Sequence, residues 1–273
     1  MDIFFSLLQV HFTMCQYFCV SDIHGYYDLL IAALDKAGFD RNNPNHTLIA
    51  CGDHFDRGRQ PMEVMKFLME LPRKVLILGN HDSMMKSCCM RGFFYGSDYR
   101  NGTVQTIMDL TDEYDRKYKE RFGKSPYMAD CCREAYRILE PFYHQCVDYY
   151  ETQKYIFVHA WVPIWIDEMA DEAAPCSEKY RPLPDWRLAT STEWKESRWM
   201  NPFEMAKYHL QADKTIVCGH WHCSAGWAAD QGRSEFGADA CFEPYEGNGF
   251  VAIDACTAHT GKVNVYVIDD NPL

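Results

Sequence analysis

Leu48-Ile49-Ala50-Cys51-Gly52-Asp53-His54-Phe55-Asp56-Arg57-Gly58 sets a short apolar run directly against two carboxylates and an arginine. Four β-prone residues that stop at once on a glycine and a polar cluster suit a strand buried on both faces. Asp53, just behind that glycine, has two oxygens and is able to bridge two cations. The same plan recurs on either side. Tyr17-Phe18-Cys19-Val20 runs into Asp22 and His24, Val75-Leu76-Ile77-Leu78 into Asn80 and His81, Tyr155-Ile156-Phe157-Val158 into His159, and Ile216-Val217-Cys218 into His220 and His222. A further run, Phe250-Val251-Ala252-Ile253, ends at Asp254. If such strands lie side by side, their C-terminal ends converge on one edge, where ligands from distant positions meet. A lone histidine such as His159 after an apolar run is more often a satisfied core residue. The repetition carries the weight.

The residue types suit a cation site. Asp22 and His24, two positions apart, reach one ion if the chain turns at Gly25. Asn80 adds an amide oxygen, which ligates without adding charge, and His159, His220 and His222 add nitrogen. Mixed oxygen and nitrogen donors suit Mn, Fe, Zn, Co or Ni.

The chain has 273 residues, 47% of them hydrophobic, enough to bury a full core. One domain over 1–273 is expected, with a helical insertion at about 83–150 and a second insertion at about 161–213. A net charge of -12 argues against broad polyanion binding, so no specific nucleic-acid partner is expected. The 13 cysteines are odd in number and show no Cys-x-x-Cys spacing. They read as reduced thiols of a cytoplasmic protein, acting as small buried hydrophobes. No segment is long and apolar enough to span a bilayer, so no membrane partner is expected. Met1 to Thr13 carries Asp2 and no basic region, against a secretion signal, and a start at Met14 would lose nothing the fold needs.

Tyr26 to Ala37 has helical periodicity with Gly38 as C-cap, and Pro61 opens a second helix, Met62 to Leu71, that Pro72 stops. This alternation predicts right-handed crossovers and a parallel start to the sheet. Helical signals follow at Val104 to Tyr118 and Asp130 to Cys146, and another helix starts at Asn201-Pro202. Phe250 to Ile253 and Val263 to Ile268 read as strands paired through Thr260-Gly261. His54 and His259 either border the site or, as favoured, are structural, and Trp161, Trp165, Trp221 and Trp227 either stack on a base or side chain or, for most of them, serve in core or lid packing.

Taken in order, over about residues 17 to 268, the five motifs resemble those of the calcineurin-like metallophosphoesterases. The Gly-Asp-x-x-Asp-Arg-Gly form of Gly52 to Gly58 is nearest the branch holding phosphoprotein phosphatases and symmetrical diadenosine tetraphosphate hydrolases. The resemblance implies a four-layer α/β fold, a central mixed β-sandwich flanked by helices with a helical insertion. It implies two divalent metal ions, manganese foremost: Asp22, His24 and His222 on one, Asp53 as bridge, and Asn80, His159 and His220 on the other. It implies a metal-bridging hydroxide as nucleophile, His81 as proton donor oriented by Asp56, and Arg57 gripping the phosphoryl oxygens. Arg198 is taken as the second phosphate-binding arginine, with Arg181 and Arg187 in the same insertion.

The expected activity is hydrolysis of phosphate monoesters, as by a serine/threonine protein phosphatase. The alternative is hydrolysis of diadenosine tetraphosphate or another nucleotide anhydride, and a non-catalytic metal- and phosphate-binding scaffold is the reading from another class. The partner is accordingly a phosphorylated protein or a small-molecule or nucleotide substrate; nothing in the sequence bears on oligomeric state. Asp82 stands where protein phosphatases typically carry Glu, and Gly219-His220-Trp221-His222 adds a second histidine, both of which weaken the protein-substrate reading. The closing Ile253-Asp254-Ala255-Cys256-Thr257 is similar to that of the diadenosine and phage-type enzymes. Cys51 to Arg57 also has the Cys-x5-Arg spacing of cysteine-dependent phosphatases, but Asp53 and Asp56 would put anions where a phosphate must be cradled.

Overall fold

All six apolar runs form strands in the computed structural model, which describes residues 15–167, 169 and 179–273. Met1 to Thr13, Met14 and Cys176 lie outside the described residues. Strands β1 (Cys15–Val20), β2 (His46–Cys51), β3 (Lys74–Ile77) and β4 (Cys146–Val147) are parallel neighbours, and β12 (Tyr266–Asp270) joins β1 antiparallel, giving the order β12-β1-β2-β3-β4. A second, mixed sheet has the order β10-β11-β9-β6-β5. Its strands are β5 (Tyr150–Glu151), β6 (Tyr155–Phe157), β9 (Thr215–Cys218), β10 (Tyr245–Gly247) and β11 (Phe250–Ala252). Strands β7 (Ile164–Ile166) and β8 (Tyr180–Pro182) form a separate antiparallel ribbon.

The two sheets pack face to face, and the pleat decides which residues meet. Tyr17, Cys19, Ile49, Cys51 and Ile77 from one sheet share an apolar cluster with Phe157, Val217 and Val251 from the other. The alternate residues Phe18, Val20, Leu48, Ala50 and Leu76 face outward onto Leu30, Leu34, Val64 and Leu68 of the helices. On the far side, Ile156, Ile216, Phe250 and Ala252 pack with Trp161, Trp186 and Trp194. Helices, sheet, sheet and a further helical layer make the four-layer α/β arrangement. With both strand faces covered, the runs are continuously apolar, each fully buried Val, Leu, Ile or Phe contributing about 1.5–3 kcal/mol. Trp161 is part of this core, its indole donating to the Leu210 carbonyl at 3.1 Å.

Helix α1 (Tyr27–Ala37) ends on Gly38 at φ 81°, whose N–H caps Asp35 and Leu34, and α2 (Pro61–Glu70) carries proline in its first turn. The helical stretch that follows differs from its sequence reading in three ways. It begins earlier, because Asn80, His81 and Asp82 are the first turn of α3 (Asn80–Arg91), with Gly79 as N-cap. Val104 to Tyr118 is not continuous: after α4 (Gly96–Arg100), α5 (Thr103–Leu110) stops at Thr111 and α6 (Asp112–Phe122) starts with three acidic residues in its first turn. Finally, α7 (Met128–Tyr143) ends short of Cys146, which pairs instead with β3 as part of β4.

The helix start at Asn201 holds, its side chain accepting from Phe203 N at 2.9 Å. The expected pairing of Phe250 to Ile253 with Val263 to Ile268 does not: β11 lies in the second sheet, β12 in the first, and the short helix Thr257–Thr260 passes between them. Alternation reveals a buried face but not the sheet that covers it. Among the described residues no helix is long and apolar enough to cross a membrane.

Candidate metal centre

The C-terminal ends of β1, β2, β3, β6 and β9 bring their polar residues to one place at the seam of the two sheets. His24 Nε2 lies 3.8 Å from Asp22 Oδ1 and 3.8 Å from Asp53 Oδ2. The other Asp53 oxygen, Oδ1, is 3.4 Å from His159 Nε2. Among the described residues two groups offer three donor atoms within 4.8 Å of one another: His24, Asp53 and His81, and Asp53, His159 and His220. Asp53 belongs to both, the position of a bridge.

The donor set fits divalent cations. With its oxygen turned inward, the Asn80 amide faces both Asp53 oxygens, His159 Nε2 and His220 Nδ1, all acceptors, at 2.7 to 3.3 Å. Lone pairs that converge in this way form a shell for a cation. Burial, reinforced by Arg57, His81 and His159, pushes His24 well down, and burial with His159 takes His220 down to about 3, so both imidazoles stay neutral with a lone pair free to ligate. Burial, with Asp22 and Asp82 adding to it, raises Asp53 despite His159 and His81, and burial and Asp22 raise Asp254. A centre where carboxylates resist ionisation is one that positive charge would relieve.

Backbone geometry concentrates here too. Asp22, His24, Asp53, Arg57 and His220 have φ of 50°, 50°, 55°, 80° and 66°. Each such non-glycine residue costs about 1–3 kcal/mol, and such outliers cluster at functional sites. Gly79 and Gly219 allow close approach: a Cβ on the first would collide with Asp53 Oδ1 and N, on the second with Ser21 Oγ and Asp22 Oδ2. Asp22 is held by hydrogen bonds from Ser21 Oγ and from His220 N, the latter at 2.9 Å.

Asp82 braces the Asp53 turn from behind. Its Oδ2 accepts from Asp53 N at 3.0 Å, Gly79 N at 2.9 Å and His54 Nδ1 at 2.8 Å, and its Oδ1 from His54 N at 3.1 Å. Burial pushes this carboxyl up, but His54 and the Gly79 and His54 amides more than reverse it, holding it well below the usual carboxylate range. His54 is structural, as expected, and fully buried.

On the open side, His81 Nδ1 lies 2.9 Å from Asp56 Oδ2, which also accepts from Thr103 Oγ1 at 2.7 Å. Burial lowers the His81 pKa, but Asp53 and Asp56 outweigh it and raise it overall. Arg57 Nη2 is 3.2 Å from His81 Nε2. The three arginines of the second insertion separate clearly. Arg187 is tied to Glu151 and Asp213, Arg181 lies over Trp165 at 4.9 Å, and the buried Arg198 pairs with Asp148 and donates from Nη1 to Ser83 Oγ on α3 at 3.3 Å. His222 is not in either three-atom group; its Nε2 lies 2.9 Å from Glu235 Oε1 and its ring packs on Phe236 at 4.7 Å. Cys51 sits inside β2 with its thiol pushed far up by burial, unsuited to thiolate chemistry.

Ser21, Thr103 and the Asp82 brace were not legible as site residues. A hydroxyl has no spacing signature, but Gly79 followed three residues later by Asp82 is a helix-start signal.

A family model for calcineurin-like phosphoesterases matches residues 17–224. The chain belongs to this family. Calcineurin-like phosphoesterases use a dinuclear metal centre, and the His and Asp groups gathered here are able to bind metal. A symmetrical bis(5'-nucleosyl)-tetraphosphatase of Neisseria meningitidis is 32% identical over 97 residues, 35% of this chain and 33% of that protein. Serine/threonine-protein phosphatase 2 of Salmonella typhimurium is 37% identical over 65 residues, 24% of this chain and 28% of that protein. The chain thus spans about a third or less of the length of these relatives. A mutant cold-active protein tyrosine phosphatase shares the phosphoesterase fold, with a TM-score of 0.51 and 15% identity over 94% of this chain and 76% of that one.

Proposed function

We propose that this chain hydrolyses phosphate monoesters at two divalent cations, manganese foremost, held by Asp22 and His24 on one side of Asp53 and by Asn80, His159 and His220 on the other. The observation that carries the reading is Asp53's membership of both donor groups, with the Asn80 amide facing both of its oxygens. Bound there, divalent cations supply an activated water and charge neutralisation at the phosphoryl group. His222, whose buried Nε2 makes no hydrogen bond among the described residues, is the candidate to join Asp22 and His24.

The remaining roles fall to the chain's own side chains. Arg57 and Arg198 flank α3 and present two planar guanidinium groups, a match for the two negative charges of a terminal phosphoryl group. His81 has Nδ1 committed to Asp56, which fixes the ring and favours its protonated form once Arg57, whose Nη2 lies 3.2 Å from Nε2, turns to the phosphoryl group. Its Nε2 is the atom that delivers a proton to the departing oxygen. Thr103 holds Asp56 in turn. A phosphoprotein and a nucleotide present the same phosphoryl end to these groups and differ only in what departs. Against a binding scaffold without turnover stands the presence of candidate ligands, a candidate proton donor and Arg57 in one chain.

A panel of a phosphomonoester, a phosphodiester, a phosphopeptide and diadenosine tetraphosphate tests this directly. Monoester turnover should vanish with EDTA and return with manganese. Turnover indifferent to EDTA but lost on thiol alkylation would refute it.

A further inference from the structure

Beside the metal centre lies a cavity of about 200 Å³ that the hydrolytic chemistry leaves unused. Asn80, Ser83, Met84 and Ser87 of α3 line it, with Tyr95 at the start of α4, and Lys195 and Trp199 from the segment around Arg198. Asn80 belongs both to the acceptor cluster and to this lining. A substrate whose phosphoryl group sits at the centre therefore has this cavity within reach of its leaving group.

The lining is built for a flat polar ring. Trp199 is 51% exposed and offers an open ring face, whereas Tyr95 carries the guanidinium of Arg91, itself paired with Asp98 in the same lining, over its ring at 4.2 Å. The Trp199 ring stands 6.0 Å from that of His220 and nearly perpendicular to it, so the stacking face begins at the metal centre. Ser83 Oγ donates to the Gly79 carbonyl and accepts from Arg198, whereas Ser87 Oγ donates to the Ser83 carbonyl at 2.9 Å, which leaves the Ser87 lone pairs as acceptors in the lining. Lys195 is exposed and, among the described residues, has no carboxylate within ion-pair distance. A phenyl ring would use the aromatic face but leave the Ser87 lone pairs and the ammonium without a partner; a purine or pyrimidine bearing an amino group and a second phosphate uses both.

We infer that this cavity receives the nucleobase of a nucleotide substrate, stacked on Trp199, with its amino edge on Ser87 and Lys195 free for a neighbouring phosphate. The inference rests on the proposed function for the position of the phosphoryl group.

Two measurements test it separately from that function. Adenosine, which has no phosphate, is titrated into the wild-type protein and into Trp199→Ala, Trp199→Phe and Ser87→Trp. Ser87 is exposed on α3, so the last variant fills the cavity without touching the core. In parallel, kcat/KM is measured with manganese for adenosine monophosphate and for glycerol 2-phosphate. Adenosine should bind the wild type and bind Trp199→Ala and Ser87→Trp at least about tenfold more weakly, with Trp199→Phe recovering most of the loss. The ratio of the two kcat/KM values should fall by about the same factor in those two variants. Equal adenosine binding by all four proteins, or a ratio that does not move, overturns the inference. So does a ratio shift seen for a phosphotyrosine peptide and not for the nucleotide. Variant-dependent adenosine binding in a protein that hydrolyses neither ester would sustain the cavity's role and remove the proposed reaction instead.

Discussion

Asp53 is the residue that joins the two halves of the centre, and its turn is held by more than its own backbone. Its N–H is bound by Asp82, its Oδ1 by the His81 amide at 2.9 Å, and its φ of 55° is paid for by those contacts. Asp53→Asn removes a charge and one oxygen ligand together. Bound metal, counted by elemental analysis in manganese-equilibrated protein, should fall from two per chain to one or fewer. Retention of two ions would mean that another group bridges them. His81→Ala makes the opposite case, since it leaves the donor shell of Asn80, His159 and His220 intact. Metal content should persist while turnover of alkyl phosphates falls by about 10²–10⁴, and of p-nitrophenyl phosphate, whose leaving group needs no proton, much less. Equal losses on both esters would take His81 out of the proton-donor role. Asp53 and His81 are legible in the sequence as candidates because each closely follows an apolar run. Thr103 and Ser21 were not, since nothing in the local sequence tells a hydroxyl that buttresses a carboxylate from one on a solvated turn.

The six apolar runs were read correctly as strands because both faces of each are covered, whereas the two- and three-residue strands β4, β5, β7, β8 and β10 are too short to show a pattern. Helix α3 was read too late, and the reason lies in its first turn. Asn80, His81 and Asp82 are buried polar residues, so the helix starts with no apolar stripe to announce it. The sheet assignment of β12 was beyond reach for a different reason, since a half-buried strand carries no label for its partner. Edge strand β5 has only two residues, pairs with β6 alone, and carries one buried carboxylate. Glu151, 8% exposed, binds Arg187 and Lys214. Burial pushes this carboxyl up, yet the two cations bring it below its ordinary value. A depressed carboxylate stabilises the fold above its unfolded pKa and loses that contribution as pH falls through its folded value. Glu151→Gln should therefore lower stability at pH 7 by about 2 kcal/mol and flatten the acid limb of the stability profile. An unchanged acid limb in chemical denaturation would show that the pair is not coupled to folding.

At the scale of the molecule, the centre is shared between the two sheets. Asp22, His24, Asp53 and Asn80 follow strands of one sheet, and His159 and His220 follow strands of the other. Cations bound there would staple the sandwich across its seam, and binding only the folded form stabilises it by mass action. Manganese at about 100 times its Kd should add about 2.7 kcal/mol, read as a rise in Tm that Asp53→Asn reduces. A Tm indifferent to manganese would mean that the ions do not bridge the sheets. The formal charge of -12 makes the local cations, Arg57 and Arg198 matter more, because the field of the whole chain repels phosphate. Anomalous scattering from a manganese-soaked crystal reaches the central claim most directly. Two peaks should flank Asp53, one beside Asp22 and His24 and the other among Asn80, His159 and His220; a map with no peak within bonding distance of Asp53 would contradict the account.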